Sequence, residues 1–316
     1  MSAYPYFSAS LPQWTFNAEG DGPSVEAVCA EAIELLGRKD LAVLAYIFSP
    51  AYHKIWLDKI RAEALRAEAE APSDLPLPET GGFEPACLVP FIEQLPYMQA
   101  FRADYARRCA MEAAATAAEA GTGALQPAAD DADEAVEPWS DTEAYRRLQA
   151  LFYAQVPALP SAFLKSYYRF DWEWKTVANR LNRKKYPELP MDDRLPEYPA
   201  KGDRAVADAE WIAALEKEPL AQLWDYAEDM EKVTAEPDLM KREWLCDSFR
   251  WRFAEAGGGD ATASTDSLWS YFVRLQLQQR WQRLKKADGQ QLLKAKLQSL
   301  RAVDWDKNEF SAGIGA

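Results

Sequence analysis

The chain has 316 residues, of which 48% are apolar and 12 are tryptophans, enough to build a large core. Its 50 acidic side chains outweigh 36 basic ones for a net charge of −14, so it repels nucleic acid and anionic lipid at long range unless a local basic patch intervenes. The four cysteines, Cys29, Cys87, Cys109 and Cys246, have neither metal-ligand nor redox spacing, and the single histidine, His53, excludes a His-pair metal site.

The first residues, "MSAYPYFSASLPQW", lack a basic start and a long apolar run, which argues against a secretory signal. Within them "YPYFSASLP" reads as extended, and a short strand is expected there. The next segment is helical: Ser24 is the expected N-cap, Val25, Val28, Cys29, Ala32, Leu35 and Leu36 recur at helical spacing, and Gly37 marks the stop. His53 follows in "SPAYHKIW", where a lone histidine reads as a surface or packing residue before it reads as a catalytic base.

Residues 1–118 thus form an N-terminal helical part. Residues 119–138 carry acid, alanine, glycine and proline without a large side chain, the composition of a mobile linker or surface insertion. From 139 to 303 the chain is aromatic-rich and helical, and 304–316 reads as a flexible tail. In this part Phe163, Tyr167, Phe170, Trp174, Val177 and Leu181 step by three and four, and so do Leu268, Tyr271, Phe272 and Leu275, with Trp281 and Leu284 beyond them. Between these two helices, 184–203 holds four prolines and one glycine, so it reads as a long irregular connection.

The stretch "MKREWLCDSFRWRF", Met240 to Phe253, admits a strand, a helix or a base-stacking surface. As a helix it is preceded by Pro237 at the first helical position and closed by Gly257 to Gly259. Leu245, Phe249 and Phe253 then share one stripe, and Trp244, Ser248 and Trp251 the next, while the strand pattern fails at Trp244 and Leu245. Helix is the better reading, with Arg250 in reach of Asp247 on its flank and the aromatics in the core. The overall expectation is a mainly α protein, with no run of about 18 apolar residues that would span a membrane.

No catalytic constellation emerges. The glycines at 257–259 lack phosphate-loop spacing, and "DDADE" at 130–134 lacks the glycine of a calcium loop. Charge is the remaining signal: residues 1–140 hold 9 basic and 22 acidic side chains, the remainder 27 and 28. Basic groups concentrate in 163–186 (Lys165, Arg169, Lys175, Arg180, Arg183, Lys184, Lys185) and in 270–303 (Arg274, Arg280, Arg283, Lys285, Lys286, Lys294, Lys296, Arg301). They either cover helix flanks and pair with acids within the chain, or form a docking face for an acidic protein; nucleic-acid binding is the remaining alternative.

In this order, "YPYFSASLP", "YYRFDWEWKTVANRLNRKK" and "DLMKREWLCDSFRWRFAE" with "LWSYFVRLQLQQRW" resemble a bacterial family whose members accompany V-type ATPase subunits. The family is similar to the C subunit, called d in eukaryotes. The resemblance implies an all-α, non-catalytic subunit of repeated helical bundles, forming a funnel or socket between the central stalk and the membrane ring. It implies a cytoplasmic protein peripheral to the inner membrane, with stalk and ring subunits as partners, no nucleic acid, no direct membrane insertion and no cofactor. The contact residues expected on this reading are Arg180, Arg183, Lys184, Lys185, Arg280, Arg283, Lys285 and Lys286. The alternative is a helical adaptor for another acidic partner.

Overall fold

The computed structural model describes residues 7, 10–12, 15–16, 22–68, 83–119, 139–185, 203–215, 217–258 and 264–285. These residues are mostly helical and contain no strand, as expected for a mainly α chain. The strand expected in "YPYFSASLP" is not supported where that segment is described: Phe7 and Ser10 are helical, and the Ser10 hydroxyl donates to the Phe7 carbonyl at 2.9 Å. The insertion beyond Glu119, the Pro-rich connection from 186 to 202 and the tail lie outside the described residues.

Among the residues described from Gly22 on, eleven α-helices follow one another: α1 (Val25–Leu35), α2 (Arg38–Glu68), α3 (Val89–Ile92), α4 (Pro96–Glu119), α5 (Asp141–Gln155), α6 (Ala162–Lys185), α7 (Asp203–Ala214), α8 (Leu220–Leu223), α9 (Ala227–Ala235), α10 (Leu239–Gly257) and α11 (Thr265–Lys285). Their starts follow capping chemistry. Ser24 accepts from the Ala27 amide and Ser140 from the Glu143 amide, each satisfying a donor that the first turn leaves open. At α10 the cap is Asp238, which accepts from the Lys241 amide at 2.7 Å; Pro237 therefore precedes the cap and does not occupy the first helical position. A carboxylate that can reach the N3 amide outcompetes a proline whose only merit is a preset φ.

Helix α2 contains Pro50 in its interior, which removes the donor that the Tyr46 carbonyl would normally meet. The Ser49 hydroxyl takes over, donating to that carbonyl at 2.7 Å. Tyr97 on α4 then donates to the Ser49 oxygen at 2.6 Å, and the His53 Nε2 lies 2.8 Å from the Tyr97 hydroxyl. Because the Tyr97 proton is committed to Ser49, His53 donates from Nε2. The lone histidine is a packing residue, fully buried, with its ring edge-on to Tyr97, Tyr145 and Phe152.

Helix α6 carries the architecture, because it is apolar on two faces. Tyr167, Tyr168 and Trp172 belong to a large core shared with α1, α2, α4, α5 and α11, while Phe170, Trp174 and Val177 belong to a second core with Leu215, Trp224, Met230, Val233 and Phe249. Each such side chain, fully buried, contributes about 1.5–3 kcal/mol. Residues on both sides of 119–138 therefore meet in one core: Tyr46 stacks on Phe152 at 4.4 Å, and Phe7 packs against Phe272. Phe16, also from the N-terminal segment, lies on Trp251 at 5.1 Å and beside Trp244 and Trp281.

Contacts fix the directions of the last helices. Ser161, just before α6, donates to Asp266 at the start of α11, and Ser270 on α11 donates to the Ala254 carbonyl near the end of α10. Farther along, Arg280 meets Asp247. Thus α10 runs antiparallel to α6 and α11, and those two run parallel, with their basic C-termini at one end. Gly258 permits the α10–α11 crossing, since a Cβ there would stand 2.7 Å from the Ser270 oxygen.

Candidate functional site

Of the eight basic residues expected to dock a partner, Arg183, Lys184 and Lys185 are exposed in the last turn of α6, where they complement the negative end of the helix dipole. Arg180, one turn earlier, is half-buried. Lys184 donates to the Leu215 carbonyl at 3.1 Å, and all four take part in contacts within the chain. Arg283 and Lys285 lie in the last turn of α11, and Lys286 lies outside the described residues.

Arg280 is engaged in ion pairs within the chain. Its Nη1 donates to the Asp247 Oδ2 at 2.7 Å and its Nη2 contacts Glu243, so the guanidinium is paired to α10 while 44% of the side chain stays exposed. Asp247 has 1% of its side chain exposed and also accepts from the Trp281 indole at 3.0 Å and from Arg250 at 3.2 Å. The i,i+3 pair of Arg250 and Asp247 thus forms, but in the interior and not on an exposed flank.

Arg250 extends the chain of charges to α6. Its Nε donates to the Asp171 Oδ1 at 3.1 Å, while the Asp171 Oδ2 accepts from Lys175 at 2.6 Å and from the Tyr153 hydroxyl at 2.9 Å. Lys175, Asp171, Arg250, Asp247, Arg280 and Glu243 therefore alternate in sign across α6, α10 and α11, with Tyr153 of α5 joining at one end. Solvent reaches Lys175, Arg280 and Glu243, which are 35%, 44% and 36% exposed, and is nearly excluded from Asp171, Arg250 and Asp247 between them.

The electrostatics follow from this geometry. Burial pushes the Asp171 carboxyl up, but Lys175 and Arg250, with the hydrogen bonds from Lys175 and Tyr153, together outweigh it and hold it at about 2. Burial, then Asp171, pushes the Tyr153 phenol well above its ordinary range, so it stays a proton donor. Burial would strip Arg250 of charge, yet Asp171 and Asp247 more than restore it. For His53, burial dominates and Lys175 adds to it, lowering its value to about 3 and keeping the ring neutral.

A second ionic group seats α7. Arg169 forks onto Asp208 through Nη1 at 2.8 Å and Nη2 at 2.5 Å, its Nε donates to Glu173 at 2.5 Å, and its guanidinium lies over Trp172. Trp224 donates to the other Glu173 oxygen at 3.2 Å. A bidentate arginine of this kind fixes orientation as well as distance. Most of the cations that concentrate in 163–186 by sequence are thus spent within the chain.

Among the described residues, no helix is long and apolar enough to cross a membrane and no group of three His, Cys, Asp or Glu side chains is arranged to hold a metal ion. The four cysteines are free thiols, Cys29 and Cys109 buried and Cys87 and Cys246 half-buried. No curated protein and no solved structure matches the chain. A family model does: it covers residues 95–302, which include α4 through α11 and every residue of the ion chain. The chain belongs to that family, described as a protein of unknown function (DUF2764).

Proposed function

We propose that the chain is a non-catalytic, C/d-like subunit of a bacterial V-type ATPase, a socket that couples the central stalk to the membrane ring. The motifs that resemble that family supply the identity of the complex. The observation that carries the mechanical role is the alternating ion chain from Lys175 to Glu243, which ties three helices together in register through groups that are buried at its centre. Buried ionic pairs contribute little net stability, and their best-attested use is to specify one arrangement. A torque-bearing part needs such a unique arrangement.

On this reading the exposed end of α6, with the basic end of α11, meets neighbouring subunits. Complementary charge there would add register and association rate more than raw affinity. The protein would sit on the cytoplasmic side of the membrane, held there by the complex. The test is affinity purification of the tagged protein from gently solubilised native membranes, with companions identified by mass spectrometry. V-type catalytic, stalk and ring subunits recovered in constant ratio are the expected result. Recovery of the protein alone, or of a stable complex without ATPase subunits, removes the proposal and leaves the adaptor reading.

A further inference from the structure

Four arginines, Arg107 and Arg108 of α4 and Arg146 and Arg147 of α5, gather about Trp139, the residue before the Ser140 cap of α5. The guanidiniums of Arg108 and Arg147 both lie over its ring, 4.1 and 4.4 Å from the centroid, and Phe101 and Tyr105 pack against the same ring. An indole that attracts two cations in this way brings the middle of α4 and the start of α5 onto one surface.

Two carboxylates pair with these four arginines. Asp104 is shared by Arg107 at 3.1 Å and Arg108 at 3.4 Å, and Glu143 by Arg147 at 2.7 Å and by Arg146. Arg107 and Arg147 each use a single nitrogen in these pairs, Nη2 and Nε respectively, and are 63% and 52% exposed. A guanidinium carries five N–H donors in a planar fork, so both side chains keep donor edges on the solvent side that can take further carboxylates.

The chain itself carries acid beside this surface. Residues 130–137 contain Asp130, Asp131, Asp133, Glu134 and Glu137 and neither Lys nor Arg. Counting back from Trp139, Glu137 is two positions away and Asp130 nine, which keeps every one of these carboxylates within about 30 Å of the indole even in a fully extended chain. Closure is sterically easy as well: the helix rise puts Glu119 about 17 Å beyond Arg108, a gap that residues 120–138 bridge with slack. A tether this short gives an effective concentration on the order of millimolar, whereas an acidic partner from solution approaches against the field of a chain of net charge −14.

We propose that the arginine–tryptophan surface binds an acidic polypeptide and that its occupant is residues 130–137 of the same chain, whose carboxylates meet the outward edges of Arg107 and Arg147. The contact reserves the surface, because another acidic partner meets it only by displacing the tethered segment. It uses none of the residues assigned to the ATPase reading and does not depend on it.

The test is made in the full-length protein carrying Ala132→p-benzoylphenylalanine, irradiated at low salt, with the cross-linked peptides identified by mass spectrometry. Cross-links concentrated on α4 and α5 around Trp139 are expected. Arg107→Gln together with Arg147→Gln should lower their yield roughly tenfold or more, while the melting temperature stays near the parent's because both side chains are largely exposed. Replacing the five acids by their amides, or raising the salt to about 1 M, where the Debye length is about 3 Å, should lower it likewise. Cross-links scattered over everything within reach of the tether, or a yield indifferent to the arginine pair or to salt, would overturn the proposal.

Discussion

Acid sensitivity offers the sharpest check on the interior described above. His53 is the only histidine in the chain, so between about pH 5 and 6.5 it is the one side chain of ordinary value that takes up a proton when the protein unfolds. In the folded state burial, reinforced by Lys175, lowers it from 6.5 to about 3. The unfolded chain therefore binds more protons than the native one across that interval, and stability falls as pH falls. The contribution is fully present above pH 6.5 and is lost as the pH drops toward 3. Linkage puts the loss at about 2 kcal/mol by pH 5 and about 4 kcal/mol by pH 3, against a total stability of roughly 5–15 kcal/mol. His53→Gln keeps an amide donor for the Tyr97 hydroxyl but cannot titrate, so it should flatten the profile above pH 5. Equilibrium urea unfolding at half-unit pH steps, read by tryptophan fluorescence, measures both. A parent protein whose stability is level from pH 7 to 5, or a variant with the same slope as the parent, would refute the buried neutral histidine.

Other perturbations test the ion chain and the close packing. Asp171, held from 3.8 down to about 2, contributes about 2 kcal/mol that is present above pH 4 and lost as the pH falls toward 2; Asp171→Asn should remove that part of the acid profile, seen in the same titration. Asp247→Ala takes the buried carboxylate shared by Arg250, Arg280 and the Trp281 indole, leaving Arg250 only Asp171 and Arg280 only Glu243, and should cost about 3–5 kcal/mol in urea unfolding. Arg280→Ala should destabilise measurably, by about 1–3 kcal/mol, because it leaves the buried Asp247 with one cation fewer, whereas Lys185→Ala at the exposed end of α6 should stay within about 0.5 kcal/mol; equal effects would contradict the weight given to the Arg280–Asp247 pair. Gly257→Ala places a methyl against Phe163 and should cost about 1–3 kcal/mol, while Gly37→Ala, whose nearest atom is 3.9 Å away, should change the melting temperature little.

Local order was legible in the residues themselves. The three-four spacing of Phe163, Tyr167, Phe170, Trp174 and Val177 identifies a helix and its buried side, and all five are buried. Ser24 announces the start of α1 because a hydroxyl there can accept an amide proton within its own turn. These signals survive in sequence because the interacting groups are one turn apart. Even here competition misleads: Pro237 suits a first helical position, but Asp238 captures the Lys241 amide and moves the start by two residues. What only the tertiary structure decided are the pairings between distant groups. Asp171 meets Arg250 from 79 positions away and Asp247 meets Arg280 from 33, and nothing in either neighbourhood marks those partners. A count of basic residues on a helix gives its charge but not its fate, since nothing beside Arg280 in sequence announces that Asp247 and Glu243 of another helix will pair with it. His53 is the same case, because Pro50 and Ser49 beside it in sequence and Tyr97 on another helix together determine that it is buried, neutral and a donor. Periodicity fixes which face of a helix is apolar; the identity of what lies against that face is a property of the folded chain.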